Sequence, residues 1–381
     1  MGGPQIKIGV LTSSRADFGI YTPLLDQLRR QKSWRLEIIA FGTHLSSKHG
    51  RTISEIRAEG YTVSHRIVTA PITDSVDDIA TNTAITVERF AGFWSRHHFD
   101  LVFVLGDRAE MLAAVLPGFI RRQRFAHISA GETTRGAIDD AFRHSISLMS
   151  VMLFVSAEQY KIRAQSIVGK NAPVYNVGAL NYDTIRKIHL PSSKSLCQSI
   201  GLASNRPFAL VTLHPETNPG DGGCADVLEL SKALASLDDF SLLITMPNAD
   251  AGAHAIRARW QTFSRGKANV ICVESLGFRK YLACIRSCAF MIGNSSSGFV
   301  EASYFGIPVV NIGARQAGRL RTSNIIDCGP SRRQIASAIA LAVKTKRSPS
   351  DTRIYGDGRA ALKILRLTKK ALRRWKRLQN E

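Results

Sequence analysis

Four acidic residues in the first half of the chain stand where a fold would present them for proton transfer. Asp107 closes the apolar run Leu101–Asp107, with Arg108 directly after it. Glu132 follows the run Phe125–Ala130, and the pair Asp139-Asp140 precedes Arg143-His144. Taken singly, each would be an ordinary helix cap or ion pair. Carboxylates recurring after successive strands are what an enzyme needs to take a proton from a neutral substrate and return one. In the second half, His214 ends the run Val211-Thr212-Leu213-His214-Pro215, where Pro215 would stop the strand and hold the imidazole at its end as a candidate proton donor. His44, in Gly42-Thr43-His44, also ends a strand-like run, and the other histidines lack such a setting.

A second kind of chemistry is suggested by Gly293-Asn294-Ser295-Ser296-Ser297-Gly298, which follows the apolar run Ala289–Ile292 and precedes Phe299-Val300-Glu301-Ala302. A strand, a small polar turn and a helix start expose backbone N–H groups and hydroxyls where the helix dipole favours an anion. A Ser-rich helix cap without a ligand is the plainer explanation. Glu301 falls in the first helical turn, where a carboxylate suits the sugar hydroxyls of a nucleotide better than its phosphates. Arg315, in Gly313-Ala314-Arg315-Gln316, could supply the countercharge. No Gly-x-x-x-x-Gly-Lys-Ser/Thr motif is present, and no Gly-x-Gly-x-x-Gly follows the first strand.

The elements that must position these groups are short apolar runs alternating with amphipathic stretches, the pattern of parallel sheets with crossover helices. Strands are expected at Ile6–Thr12, Leu36–Gly42, Leu101–Asp107, Phe125–Ala130, Met152–Ser156 and Val174–Val177, with helices such as Tyr21–Gln31 and Ile79–Arg96. The rhythm restarts at Ala209–Leu213, Ser241–Met246, Asn269–Val273, Phe290–Ile292, Pro308–Ile312 and Ile325–Cys328. The join, Leu190–Arg206, reads as a linker followed by a short helix. Polar clusters at the strand ends of both halves imply an α/β fold of two doubly wound, Rossmann-like domains facing a cleft. The expected division is 1–188, 189–355 and a basic amphipathic helix in 356–381, with Ala361, Ile364, Leu365, Leu372 and Trp375 on its apolar stripe.

The 381 residues include 51 Lys and Arg against 30 Asp and Glu, a formal charge of +21. From Lys344 onward there are 13 basic and 3 acidic side chains, so the tail carries nearly half of the excess. Such a balance fits nucleic acid, acidic lipid or a phosphorylated small molecule, and charge alone does not choose among them. A solvated helix face explains the tail equally well. No apolar run reaches the ~18 residues of a membrane helix, and the N-terminus lacks a signal-peptide core. The six cysteines form no Cys-x-x-Cys pair, which points to reduced, structural thiols, no metal site and a cytoplasmic setting.

The motifs together resemble the hydrolysing UDP-N-acetylglucosamine 2-epimerases, namely the bacterial sialic-acid enzymes and the epimerase half of the bifunctional animal protein. The matching blocks begin with Thr12-Ser13-Ser14-Arg15-Ala16-Asp17, Gly106-Asp107-Arg108-Ala109-Glu110-Met111 and Ala130-Gly131-Glu132-Thr133. They continue with Gly136-Ala137-Ile138-Asp139-Asp140 and Arg143-His144, Leu213-His214-Pro215, Met246-Pro247-Asn248-Ala249-Asp250, Asn294–Gly298 and Val310–Arg319. Two blocks depart from the family: Ser13-Ser14 replaces its usual Gly-Thr, and Ala130-Gly131-Glu132 its Gly-Gly-Glu.

The resemblance implies the glycosyltransferase-B-like arrangement of two Rossmann-type domains. It implies Asp107, Glu132 and Asp139 as catalytic carboxylates, with Asp140 as the fallback for the third, and His214 as the group serving the leaving diphosphate. Arg15, Asp17, His44, Arg108 and Asn248 would line the substrate site, and Ser295, Ser296, Ser297 and Gly298 the phosphate turn. Glu301 would take the ribose and Arg315 the phosphates. The implied reaction releases a free 2-epimer and a nucleoside diphosphate through a glycal, with no cofactor or metal. The partner would be a UDP- or GDP-linked acetamido sugar and not nucleic acid, with no membrane span, and the enzyme a homo-oligomer. N-acetylglucosamine and a 6-deoxy 2,4-diacetamido sugar both remain open, as does a role in sialic-acid-like nonulosonate synthesis. Rival readings are a non-hydrolysing 2-epimerase, a glycosyltransferase on the same fold, and a nucleotide-sugar-binding protein without catalysis.

Overall fold

A computed structural model describes residues 5–46, 52–69, 76–133, 138–215, 224–247, 253–274, 276–349 and 353–380. The chain divides into two compact units, one containing residues up to Glu132, Asp139–Arg186 and Tyr355 onward, the other Thr133–Ile138 and Lys187–Ile354.

In the first unit, β1 (Ile6–Thr12), β2 (Trp34–Ala40), β3 (Val63–Arg66), β4 (Leu101–Leu105), β5 (Phe125–Ile128), β6 (Met152–Val155) and β7 (Val174–Asn176) form one sheet. Its order is β3-β2-β1-β4-β5-β6-β7, with every neighbouring pair parallel. β4 is buried along its whole length, because helices cover both faces of a parallel sheet and a strand inside it needs no polar face. Alternate side chains serve the two faces. Ile8, Val10, Ile38, Leu101 and Phe103 meet Tyr21, Leu24 and Leu28 of the helix Arg15–Arg29. On the other face, Leu11, Ile39, Val102 and Val104 meet Phe90, Phe93 and Trp94 of the helix Val76–Trp94.

β3 has no counterpart in the sequence reading. Its residues Val-Ser-His-Arg alternate between half-buried and exposed at the sheet edge, where a strand needs no apolar run. Its His65 hydrogen-bonds Glu37 of β2 at 2.6 Å.

The second unit repeats the plan with β8 (Phe208–Thr212), β9 (Ser241–Thr245), β10 (Val270–Val273), β11 (Phe290–Gly293), β12 (Val309–Ile312) and β13 (Ile325–Cys328). Its order is β10-β9-β8-β11-β12-β13, again all parallel. One face packs on Val227, Leu230, Ile256, Trp260, Ile335 and Ile339 from three helices. The segment read as a linker contains a helix, Ser193–Ile200, started by the Ser192 hydroxyl and stopped by Gly201 in the left-handed region.

The last helix, Ala360–Asn380, returns to the first unit. Ala361, Ile364, Leu365 and Leu372 join the core built on the helix Arg15–Arg29. The buried Asp183 carboxylate accepts the N–H groups of Ala360 and Ala361 at 2.7 and 3.0 Å, satisfying two donors that a helix start leaves open. Arg366, Lys370, Arg373, Arg374, Lys376 and Arg377 face solvent. The basic tail is therefore an integral helix with a charged outer face. Among the described cysteines all are free, and burial holds the Cys284 and Cys288 thiols up at about 12.

Candidate active site

Each sheet reverses its strand order once, between β1 and β4 in the first unit and between β8 and β11 in the second. Beyond the carboxyl ends of strands at such a reversal, an open sheet offers its ligand crevice. The candidate residues sit at both reversals.

At the first, the turn after β1 is fixed by Asp17. Its Oδ2 accepts the Ser13 N–H at 3.1 Å, the Ser13 hydroxyl at 2.8 Å and the Ser14 N–H at 3.0 Å. The Ser14 hydroxyl accepts the Asp17 N–H in return, completing a capping box. Both departures in this block are accommodated: Ser14 caps as a threonine would, and Ser13 adds a donor to Asp17. Burial raises the Asp17 pKa, against the lowering pull of Arg108. Asp17 thus shapes the turn that carries Arg15. Arg15 itself is largely exposed, 3.5 Å from Glu55. Arg108 holds Glu110 at 2.6 Å. His44 lies in a 3-10 turn, fully buried, with its ring nitrogens 2.9 Å from the hydroxyls of Thr12 and Thr52. Burial lowers its pKa to about 4, so it is neutral at physiological pH.

Asp107 follows Gly106 beyond β4, and Glu132 follows Gly131 beyond β5. The helix Asp139–Leu148 brings up Asp139, Asp140, Arg143 and His144. Arg143, 1% exposed, donates to the carboxylates of both Asp107 and Asp140, and to the Glu132 carbonyl at 2.9 Å. One buried guanidinium thereby joins three of the positions that the sequence singles out. Asp140 also faces Arg163 at 3.5 Å, and Glu132 accepts the Ser156 hydroxyl at 3.1 Å. Asp139 opens the helix, half-buried. Gly131 has φ +70, and a Cβ there would stand 2.2 Å from the Tyr160 carbonyl oxygen. Its neighbour Ala130 is fully buried, so the change from the family's Gly-Gly falls where a methyl group fits.

His127 corrects the sequence reading, which gave a functional setting only to His214 and His44. On β5, its Nε2 lies 2.9 Å from the Gly106 carbonyl and its Nδ1 2.9 Å from the Ser147 hydroxyl. Facing a carbonyl, Nε2 must carry a proton. The ring is a crossbar between the turn that holds Asp107 and the helix that holds Arg143. Burial lowers its pKa to about 4. Burial also lowers the pKa of His144, against the opposing pull of Asp140.

At the second reversal, Asn294 is the organiser. Its side chain accepts the His214 N–H at 2.8 Å and donates to the His214 carbonyl at 2.9 Å. Its carbonyl receives Arg315 at 3.3 Å and Gln316 at 2.9 Å. His214 and Arg315 are thus anchored to the same residue. Gly293 is required: at φ +138, a Cβ would lie 1.9 Å from the Thr212 carbonyl oxygen. The turn itself is a 3-10 helix, Ser296–Gly298, capped by Ser295, with Ser296 exposed and Ser297 and Gly298 buried.

The helix expected after this turn is only Glu301–Phe305. So short a helix sums few peptide dipoles. The groups that the turn itself offers a ligand are its hydroxyls and N–H groups, with Arg315 anchored beside it on the Asn294 carbonyl. Glu301, half-buried, opens that short helix. Asn248 lies outside the described residues. Among the described residues no His, Cys, Asp and Glu cluster could hold a metal ion.

Two Rossmann-type units, one with carboxylates around a buried arginine and the other with a seryl turn beyond its strand ends, fit a class that handles nucleotide sugars. The family profile described as UDP-N-acetylglucosamine 2-epimerase matches residues 26–369, and the chain belongs to that family. It is 34% identical over 322 residues, 84% of each chain, to a Campylobacter jejuni protein named GDP/UDP-N,N'-diacetylbacillosamine 2-epimerase (hydrolyzing). It is 30% identical over 341 residues to polysialic acid biosynthesis protein P7 of Escherichia coli, spanning 89% of this chain and 87% of the relative. The crystal structure of Neisseria meningitidis UDP-GlcNAc 2-epimerase bound to UDP-GlcNAc matches with a TM-score of 0.81 at 17% identity, over 96% of this chain and 100% of that one. That last likeness is one of fold. The expected fold and enzyme class both hold.

Proposed function

We propose that the protein is a hydrolysing 2-epimerase of UDP- or GDP-linked acetamido sugars, releasing the free 2-epimer and the nucleoside diphosphate. N-acetylglucosamine and a 2,4-diacetamido 6-deoxy sugar are the candidate sugars, and the product would feed nonulosonate synthesis. The observation that carries the reading is the group of Asp107, Asp140 and Glu132 on one buried arginine, with Asp139 alongside. A protein that only bound nucleotide sugars would have no use for so many acid–base groups.

The chemistry follows from the substrate. The C2 proton of an acetamido sugar has no adjacent ketone and is hardly acidic. Breaking the C1–O bond first gives oxocarbenium character at C1 and makes that proton labile. Ser295, Ser296 and Arg315 are assigned to the departing diphosphate, whose growing charge they stabilise, and His214 to its orientation or protonation. A carboxylate among Asp107, Glu132 and Asp139 takes the C2 proton, giving the glycal. Water then adds at C1 while another acid delivers a proton to the opposite face of C2. Two faces need two groups, which is why a single carboxylate would not suffice. Glu301 is assigned to the ribose, while Arg15, Asp17, His44 and Arg108 belong to the sugar-phosphate side. We assign no cofactor, a homo-oligomeric state and a cytoplasmic location to the enzyme.

The test is a panel of UDP- and GDP-linked acetamido sugars, with products read by NMR. The reading expects a free 2-epimer and an equimolar nucleoside diphosphate from at least one member. An epimerised sugar still joined to its nucleotide would indicate the non-hydrolysing reaction. No turnover of any member, with tight binding retained, would indicate a binding protein.

A further inference from the structure

The seryl turn is backed by a residue that the proposed reaction does not use. Tyr281, on the helix Gly277–Ser287, places its hydroxyl 2.6 Å from Ser297 Oγ. Ser297 Oγ in turn lies 2.9 Å from Ser295 Oγ. Ser295 Oγ also receives the Ser297 N–H at 3.4 Å, as the cap of the turn. On the inner side, Thr212 adjoins the same phenol, and Thr212 Oγ1 is 2.8 Å from Thr245 Oγ1. Five hydroxyls therefore run from the sheet to the outer edge of the turn, each with one proton to give.

The direction in which those protons are passed decides what Ser295 presents. If they point inward, the row ends with Thr245 donating to the Val211 carbonyl at 3.3 Å, and Ser295 turns lone pairs toward a ligand. A phosphate would be repelled by them. If they point outward, Tyr281 donates to Ser297, Ser297 donates to Ser295, and the Ser295 proton is left for the ligand. The short contact, 2.6 Å, is at the tyrosine, and the long one, 3.3 Å, is at the inner end. A phenol is a better donor and a poorer acceptor than an aliphatic hydroxyl, so the outward order is favoured. Burial keeps this phenol protonated by raising its pKa, with the Ser297 hydrogen bond opposing.

We propose that Tyr281 is a positioning residue of the anion turn, setting the polarity of the row Tyr281–Ser297–Ser295 so that Ser295 donates to a phosphate oxygen of a nucleoside diphosphate. This rests on the reading of the turn as the diphosphate site. Tyr281→Phe removes one oxygen and keeps the ring, so the packing of the helix is retained.

The experiment is a double-mutant cycle of Tyr281→Phe and Ser295→Ala, with UDP and GDP affinities measured by calorimetry, and with Arg315→Ala as a separate control. Tyr281→Phe should weaken the preferred diphosphate about 3- to 10-fold, the range of one neutral hydrogen bond. In the Ser295→Ala background it should cost little or nothing, because the residue it acts through is gone. Equal losses in both backgrounds would make Tyr281 merely structural and overturn the proposal. So would an unchanged affinity for Tyr281→Phe while Ser295→Ala and Arg315→Ala both weaken binding. If those two controls also leave affinity unchanged, the diphosphate reading of the turn fails as well, and that result is distinct from the others.

Discussion

The two strand-order reversals differ in kind although their sheets share one plan. In the first unit the reversal is crowded with charge: Asp17, Arg108 and Glu110 on one side, Asp107, Asp140 and Arg143 on the other. In the second it is lined mostly by neutral groups, namely the Asn294 side chain, three serine hydroxyls and a tyrosine, with Arg315 and Glu301 alongside. A fully buried arginine can be kept only by carboxylates that compensate it, and those carboxylates are then held in fixed places. Neutral hydroxyls are cheap to bury once paired and can reorient toward an anion. The fold supplies the same location twice, and under the proposed function the residue types would divide the labour: proton transfer in one unit, charge stabilisation in the other.

The sharpest way to break this division is at the carboxylates. Asp107→Asn, Glu132→Gln and Asp139→Asn should each lower turnover by about 10²–10⁴-fold, the usual share of a general acid or base. Nucleoside diphosphate affinity should stay within a few-fold, since that site is assigned to the other unit. Steady-state kinetics beside calorimetry would show it, and near wild-type turnover in all three would remove the catalytic assignment.

A smaller effect, of opposite pattern, is expected at Arg315. A charge-assisted contact contributes about 1.5–3 kcal/mol. Arg315→Ala should therefore weaken UDP or GDP by roughly one to two decades while stability changes little. Ser296→Ala should act in the same direction and more weakly. Unchanged calorimetric affinity in the arginine variant would put the phosphates elsewhere.

Smallest is a difference in acid sensitivity. His44 and His127, both in the first unit, are held neutral by burial, with pKa values of about 4 against an ordinary 6.5. The unfolded chain takes up protons on these rings below pH 6.5, while the folded protein resists until about pH 4. Their stability contribution is complete above that window and falls as pH drops through it, by at most about 1.4 kcal/mol per pH unit for each ring. The seryl turn and Tyr281 have no group titrating there. Thermal melts from pH 7.5 to pH 4 should slope downward, and His127→Phe should flatten the slope. A wild-type melting temperature constant across this range would contradict the burial argument.

What the sequence made legible follows from the same physics. Buried parallel strands are continuous apolar runs, so β1, β4, β8 and β9 could be read almost to the residue. β3 could not, because an edge strand with one apolar residue looks like a loop. The candidate carboxylates, His214 and the seryl turn were visible because polar residues directly after apolar runs mark strand ends. Arg143, His127, Asn294 and Tyr281 were not assigned roles. Arg143, His127 and Tyr281 lie inside helices or strands, where sequence spacing suggests packing, and their function is to hold a group that is distant in the chain. Asn294 was seen only as part of the turn, since its pairing with His214 spans 80 residues. The helix start after the turn was legible but its extent was not, and Gly306 in the left-handed region stops it after Phe305.

The division of labour is tested most directly by following atoms through one turnover in isotopic water. In heavy water the released sugar should carry deuterium at C2, because the proton lost to a first-unit side chain exchanges before another is delivered. In ¹⁸O water the label should appear at the C1 hydroxyl, and the nucleoside diphosphate should stay unlabelled, because the bond cut is C1–O. Label in the diphosphate would mean P–O cleavage and would contradict the account. So would a released sugar without deuterium at C2.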